Sequence, residues 1–455
     1  MNDRRYFGQG ALRARLRRLR LRRSLEGGVA GSLAAGLVGQ LVLIVSGIIV
    51  ARALGAEGRG QLAVIVLVPA VLSQLGTFGV PLALTYAIAR NAEGGPPLLR
   101  SLAGLISVQV IALTAAQVGI FLLLARDDER TATLAAIPVM PALIAQQYGL
   151  AILQGQQRFG AFNVLRVAPA ALYAAALAAI FALGDADLVE LVLAWVVTNV
   201  VVGLLLAVVS VRYAARAQGR SSEEPIGGLI RYGGSAILGS SSPAEILRLD
   251  QAVIALSLSR TALGLYVVAL AFTNLPRFIS QSVGMVAYPR VASAAASAAQ
   301  ELVRTYLVLV VLVAGVVVVL LELAVAWCIP WLFGSDFADA VTTARILLVA
   351  AFLLAVRRVL TDVAQGLGTP ISGTVAELVN LSVALPLIVL SAPLWGIEAA
   401  AAALTLGAAA SLAVLAWLVR NALARASSAP PKDVELAGTG DRLAILALGR
   451  GDAGS

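Results

Sequence analysis

The amino-acid sequence predicts an all-α polytopic membrane protein of about twelve transmembrane helices, arranged as two six-helix bundles. Hydrophobic residues make up 60% of the 455 positions and charged residues only 13%, about half of the ~25% charged fraction typical of soluble domains. Apolar segments of the roughly 20 residues that a membrane-spanning helix needs recur along most of the chain. A polar connection near the middle separates six such segments from six more. This composition excludes a water-soluble enzyme.

The predicted spans follow one another at near-regular spacing, and turn-forming residues separate them. Examples of such breaks are residues 55–58, 94–97 and 368–370, which contain glycine and proline or acidic residues. The hydrophobic pattern places the spans near residues 28–51, 61–89, 99–124, 133–154, 161–183, 189–211, 233–256, 263–288, 303–327, 339–364, 371–391 and 397–419.

Five regions follow from this pattern. An arginine-rich segment, residues 1–26, precedes the first six-helix bundle, residues 27–213. A polar linker over residues 214–232 leads to the second bundle, residues 233–420. The tail, residues 421–455, is rich in Ala, Gly and Ser, and we expect it to be disordered in the cytoplasm.

The distribution of basic residues predicts the orientation of the chain in the membrane. With a cytoplasmic N-terminus, 23 basic residues fall in cytoplasmic segments and five in external loops, as the positive-inside rule requires. Both termini are therefore predicted to be cytoplasmic. The net charge of +9 follows this topology and does not indicate nucleic-acid binding. The arginines of residues 1–26 either form a helix that lies on anionic membrane lipids or only fix the orientation.

Short sequence similarities relate the two halves. Residues 153–155 (LQG) close the fourth span and residues 364–366 (AQG) close the tenth, while Gly60 opens the second span and Gly264 opens the eighth. Two repeats with even numbers of spans keep the same orientation, so their pseudo-twofold axis is predicted to run along the membrane normal. Such a pair encloses a central cavity that can open to either side, which is typical of transporters.

Six short segments carry a family resemblance. They are residues 51–60 (ARALGAEGRG), 76–81 (GTFGVP) and 89–90 (AR) in the first half, and residues 248–250 (RLD), 262–266 (ALGLY) and 288–290 (YPR) in the second. Together they resemble the polysaccharide synthesis, or O-antigen translocase-like, branch of the multidrug/oligosaccharidyl-lipid/polysaccharide flippase superfamily.

The resemblance covers roughly residues 25–420 and implies a function. It implies a flippase that moves a polyprenyl-pyrophosphate-linked oligosaccharide across the bacterial inner membrane by alternating access, for cell-surface polysaccharide biosynthesis. Glycosyltransferases or a polymerase of the same pathway are possible partners. Two alternatives remain open: a multidrug antiporter of the same superfamily, and a membrane-embedded glycan polymerase or ligase.

Arginines within the predicted spans are the candidate substrate-binding residues. A charge at the centre of a transmembrane helix costs about 2.5–3.5 kcal/mol on insertion scales, so such a residue is expected to face a wet cavity or a partner. Guanidinium groups suit a pyrophosphate because they present a planar fork of donors. In order of preference the candidates are Arg277, Arg248, Arg357, Arg358 and Arg52, the last at a bend that needs no ligand.

A structural role is the alternative for each of these arginines. Glu245 and Arg248 are spaced i,i+3, and Arg358 and Asp362 are spaced i,i+4, so each pair would neutralise itself on one helix face. Arg166 lies close enough to the end of its span to reach the membrane surface by snorkelling.

Acidic residues within the spans are candidates for coupling transport to protons or sodium ions. The preferred candidate is Asp250, whose alternative is an ion pair with an arginine of another span. The other intramembrane acids are Glu245, Asp362, Glu322 and Glu377. The chain has no histidine and one cysteine, Cys328, and it contains no Walker-type glycine loop. We therefore expect no catalytic residues, no metal site and no cofactor, and a protein that is not an enzyme.

Overall fold

Apolar helices form almost all of the described chain. The computed structural model describes residues 4–91, 93–184, 186–217, 227–231, 233–234, 248–292, 294, 296–369 and 371–428. Over these residues the chain forms α-helices with short 3-10 turns and no strand. Within these described ranges six helices are long and apolar enough to cross a membrane, or up to eight if each of two bent helix pairs is one span. Large apolar side chains such as Leu123 and Trp331 are exposed, as expected where a protein meets lipid. The chain is a multi-pass membrane protein.

The first half begins with a long, kinked helix. Helix α1 spans Arg4–Gly76 and bends at Gly55, whose φ of 63° is open to glycine at little steric cost. A turn at residues 77–79 follows, and α2 (Val80–Arg90) begins with a proline in its first turn, where no backbone hydrogen bond is lost. The remaining helices are α3 (Gly95–Ser101), α4 (Ala103–Leu124), α5 (Arg130–Ala135), α6 (Val139–Gly155), α7 (Phe159–Leu183) and α8 (Leu188–Ala214).

The second half has a similar sequence of bent and long helices. The helix over Arg260–Ala271 is bent by 41° from the helix over Asn274–Ala292, across residues 272–273. The last helix, Ile371–Ser428, contains a kink at Gly396, whose φ is 75°. The helices are α9 (Leu249–Ser257), α10 (Arg260–Ala271), α11 (Asn274–Ala292), α12 (Ala296–Phe333), α13 (Ala340–Gly366) and α14 (Ile371–Ser428).

The predicted spans agree with the helices but differ in their boundaries. Each predicted span coincides with a helix, with one limb of a kinked helix or with two consecutive helical segments, except 233–256, because residues 235–247 lie outside the described residues. The count of twelve and the pseudo-twofold symmetry remain predictions. Helix α1 crosses the expected boundary at residue 27 without interruption. Helix α14 continues to Ser428, eight residues beyond the predicted end of the second bundle.

Glycines bring the two halves together at one end of the molecule. A Cβ atom at Gly60 would lie 1.7 Å from the carbonyl oxygen of Arg260, and one at Gly264 would lie 2.0 Å from that of Ala56. A side chain at either glycine would therefore force α1 and α10 apart. We call this contact between Ala56, Gly60, Arg260 and Gly264 the glycine seam.

Candidate functional site

A large cavity lies between the two halves. Its volume is about 1240 Å³, above the ~300–1,000 Å³ range of most small-molecule sites. Helices α1, α6, α7 and α8 of the first half and α9, α10, α11, α13 and α14 of the second line it. Among the described residues the lining has six arginines against three carboxylates: Arg59, Arg166, Arg248, Arg277, Arg357, Arg358, Asp250, Asp362 and Glu377. The lining therefore carries an excess of positive charge.

Most of the charged residues singled out from the sequence lie on this cavity. The structure brings together Arg248, Arg277, Arg357, Arg358, Asp250 and Asp362. Arg52 is not part of the lining, and Glu245 lies outside the described residues. The location fits a role in transport, and the role itself stays a prediction for each residue.

Arg357 forms a buried ion pair across two helices. Its Nη1 atom lies 2.6 Å from Oε2 of Glu377, and the two side chains are only 9% and 10% exposed. The pair joins α13 to α14. Because a buried carboxylate needs a counter-charge, Arg357 is committed in large part to Glu377. Spacing within one helix predicts local neutralisation for Arg358 and not for Arg357, since Glu377 belongs to another helix.

Arg358 and Asp362 form the i,i+4 pair that their spacing allows. The Nε–Oδ2 distance is 3.4 Å, with the Arg358 side chain 45% exposed and that of Asp362 13% exposed. The Asp362 carboxylate packs directly on α11, where a Cβ atom at Gly284 would lie 1.8 Å from Oδ2. Arg358 therefore keeps donors directed towards the cavity, while its partner is fixed against a neighbouring helix.

Asp250 is held by a tyrosine of the next helix. The hydroxyl of Tyr266 donates a hydrogen bond of 2.8 Å to Oδ2 of Asp250. Arg248, two residues earlier, has a left-handed backbone conformation with φ 45° and precedes α9 directly. Both Asp250 and Arg277 act electrostatically on Arg248. One carboxylate and two guanidinium groups thus form a charged group on the cavity wall.

Two cavity arginines were missed as candidates from the sequence. Arg59 was expected in a loop before the second span, but α1 resumes directly after Gly55 and carries Arg59 into the lining. Arg166 was expected to snorkel to the membrane surface, but it lines the cavity, with its guanidinium 5.3 Å from the ring centre of Phe162. A helix restart immediately after a positive-φ glycine is the signal that would have placed Arg59 correctly.

Arg52 has a local structural contact instead of a place in the cavity. Its guanidinium donates to the carbonyl oxygens of Leu332, at 2.8 Å, and Trp331. These carbonyls are at the C-terminal end of α12, where the partial negative charge of a helix favours a cation. Arg52 therefore links the first half to the second from outside the cavity.

A buried ion pair closes the cavity at the end that carries the glycine seam. Arg260 places Nε 2.7 Å from Oε1 and Nη2 3.1 Å from Oε2 of Glu129, and Nη2 also donates to the carbonyl of Leu124. The two side chains are 6% and 1% exposed. Tyr288 and Gly368 line the opposite end of the cavity and are exposed. The structure is therefore closed at the seam end.

Comparison with known proteins identifies the family. A family model described as polysaccharide biosynthesis protein matches residues 27–295, more than half of the chain. The chain belongs to this family. No curated protein sequence matches it. The family match and the fold together place it in the multidrug/oligosaccharidyl-lipid/polysaccharide superfamily.

Solved structures of that superfamily share the fold at low sequence identity. The lipid II flippase MurJ in an inward closed conformation matches with a TM-score of 0.68 and 10% identity over 92% of this chain and 93% of that one. An inward-facing multidrug resistance MATE family transporter matches with a TM-score of 0.67 and 16% identity over 86% and 96%. A superfamily transporter from Pyrococcus furiosus, whose reverse polarity of the binding pocket suggests a different function, matches at 0.56 and 15% over 89% and 96%.

Proposed function

We propose that this protein is a flippase that translocates a polyprenyl-pyrophosphate-linked oligosaccharide by alternating access, for cell-surface polysaccharide biosynthesis. One observation carries the proposal: a cavity of about 1240 Å³ between the two halves, lined by six arginines and three carboxylates. The family supports it, since its members are polysaccharide biosynthesis proteins. The protein moves its substrate and makes no covalent change to it.

The cavity suits an anionic headgroup on a lipid tail. Two of its three carboxylates, Glu377 and Asp362, are paired with Arg357 and Arg358, so the remaining arginines give the lining its positive character. Guanidinium groups bind phosphate oxygens through forked, charge-assisted hydrogen bonds, which strengthen where water is scarce. The headgroup would occupy the cavity while the prenyl tail stays in lipid.

Asp250 is the coupling residue that we favour. It lines the cavity beside Arg248 and accepts a hydrogen bond from Tyr266. A carboxylate so placed exchanges protons with the cavity water and senses a bound pyrophosphate through Arg248. Asp362 is the second candidate, although its pairing with Arg358 restricts it. Glu245 remains a candidate from the sequence alone.

The cellular setting of the proposal is the bacterial inner membrane with both termini in the cytoplasm. The distribution of basic residues supports this orientation. The seam end then faces outward, and the cavity end at Tyr288 and Gly368 faces the cytoplasm, where the lipid-linked substrate is assembled. Contact of residues 1–26 with anionic lipids, and association with glycosyltransferases or a polymerase, belong to the same proposal.

Replacement of Arg277 tests the function directly. In a strain that lacks its own copy of the gene, we expect Arg277→Ala to abolish surface polysaccharide and Arg277→Lys to retain part of it, because lysine keeps the charge and loses the fork. Arg130→Ala is the matched control, since Arg130 is exposed and outside the cavity. Membrane abundance of each variant is measured by immunoblot.

The same strains distinguish the two alternatives. Unchanged surface glycan together with lost drug resistance in Arg277→Ala would favour the multidrug antiporter. The excess of arginine over carboxylate in the lining argues against that reading, because organic cations need acidic partners. Sugar-bond formation by the purified protein would favour a glycan polymerase or ligase.

A further inference from the structure

Arg59 has an unusual position among the cavity arginines. It lies one turn beyond the kink at Gly55 and directly precedes Gly60, the glycine that touches the carbonyl of Arg260 in the seam. It also lines the cavity. Its side chain is therefore located immediately inside the closed end, whereas Arg358 lies near the opposite end of α13.

Arg59 carries a buried donor that the described residues leave unused. Its Nε atom is buried and has no hydrogen-bond partner within the described ranges. By contrast, Arg357 and Arg358 each hold a carboxylate at 2.6 Å and 3.4 Å. A buried donor without an acceptor is costly to a fold, so a ligand that supplies an acceptor would be bound with favourable free energy.

Tyr173 is a second, independent sign of a ligand at this place. It belongs to α7, lines the same cavity, and its hydroxyl is also buried without a partner in the described part of the chain. Tyr173 and Arg248 act electrostatically on Arg59. A tyrosine hydroxyl and two guanidinium groups that converge on one end of a cavity form a set of donors for an anion with several oxygens.

We propose that Arg59 and Tyr173 form a distinct binding position for a phosphate-bearing lipid headgroup at the seam end of the cavity. The inference rests on the proposed flippase function and specifies where the headgroup is held before release. Arg248 also lines the cavity and interacts electrostatically with both Arg59 and Arg277. The headgroup moves along these arginines towards the seam, and opening of the seam then exposes Arg59 to the outer side.

Calorimetric titration of the purified, full-length protein in detergent with farnesyl diphosphate tests the position, with farnesol as the probe that lacks phosphate. We expect Arg59→Ala to weaken farnesyl diphosphate binding at least tenfold and Tyr173→Phe to weaken it about threefold, with farnesol binding unchanged in both. Arg59→Lys is expected to fall between wild type and Arg59→Ala. Arg130→Ala, an exposed arginine from the same end of the molecule, should bind within twofold of wild type.

The result that overturns the inference is farnesyl diphosphate affinity within twofold of wild type in Arg59→Ala. An equal loss in Arg130→Ala would also overturn it, because the effect would then be one of general charge. If Arg59→Ala does not fold, Arg59→Lys and Tyr173→Phe decide the question by the same criterion.

Failure of this binding position can be distinguished from failure of the flippase proposal. Loss of transport in Arg277→Ala with normal binding in Arg59→Ala rejects only this position. Arg59-dependent binding without transport by the wild-type protein rejects only the flippase.

Discussion

The ion pair between Arg260 and Glu129 joins α10 of the second half to the turn before α5 of the first, and we expect it to stabilise the closed seam. Both side chains are nearly inaccessible, and their two N–O contacts of 2.7 and 3.1 Å form a fork. Removing one partner of such a pair leaves a buried charge and costs about 3–5 kcal/mol. Glu129→Gln removes the carboxylate and leaves the Arg260 guanidinium as the buried charge without its carboxylate partner.

The cost applies to the closed state, because separation of the halves returns Arg260 to water. Even 3 kcal/mol of this cost shifts the equilibrium between closed and open seam by roughly 100-fold, at about 1.4 kcal/mol per tenfold change. The accessibility of a cysteine in the cavity measures the shift. Ser46 lines the cavity and is buried, so Ser46→Cys in a Cys328→Ser background reports on opening to a membrane-impermeant maleimide added outside.

We expect labelling of Ser46→Cys to accelerate strongly when Glu129→Gln is added. Asp128→Asn is the matched control, since Asp128 accepts its 2.6 Å hydrogen bond from Gln61 of the same half. The double variant Glu129→Gln with Arg260→Gln should label more slowly than Glu129→Gln alone, because no unpaired charge remains. Labelling of Glu129→Gln at the wild-type rate would refute the reasoning.

Three further predictions follow from contacts in the structure. Gly60→Ala should lower the free energy of unfolding by ~1–3 kcal/mol through overpacking and impair transport. Gly104→Ala, whose added Cβ would meet nothing within 4 Å, should do neither. Equal melting temperatures of the two variants would contradict the close packing of the glycine seam. Arg357→Ala should destabilise the protein by about 3–5 kcal/mol by removing the guanidinium counter-charge of the buried Glu377 carboxylate. Adding Glu377→Leu should recover most of this loss in denaturation curves. Arg52→Ala should cost no more than about 1 kcal/mol and leave farnesyl diphosphate affinity unchanged by calorimetry.

Hydrophobic periodicity predicts the helices well and their breaks less well. A run of about 20 apolar residues has few alternatives to a membrane-spanning helix, because unpaired backbone groups are too costly in lipid. Residues 61–89 and 263–288 were each expected as one span, yet both contain a break between two helices. Local turns of this kind preserve the apolar pattern, so the pattern does not reveal them.

The charged lining could be predicted in part for a related reason. Arg248, Arg277 and Arg358 are conspicuous because they interrupt apolar runs, and the structure places all three on the cavity. The Arg357–Glu377 pair joins two helices, and a single sequence holds no information on which helices are neighbours. Arg59 was assigned to a loop, since the position at which a helix resumes after a glycine depends on the φ of that glycine.

The contact of Asp362 with Gly284 has a consequence for motion. Because the carboxylate occupies the space that a side chain at position 284 would need, α11 and α13 touch closely and cannot slide past each other unless the carboxylate withdraws. Arg277 and Arg358 lie one on each of these helices, so we expect this contact to make them move together. Arg59 belongs to the other half of the molecule. If the halves rock during flipping, as we propose, the distance from this arginine pair to Arg59 would change, and a bound anion would lose contact with one wall of the cavity before the other.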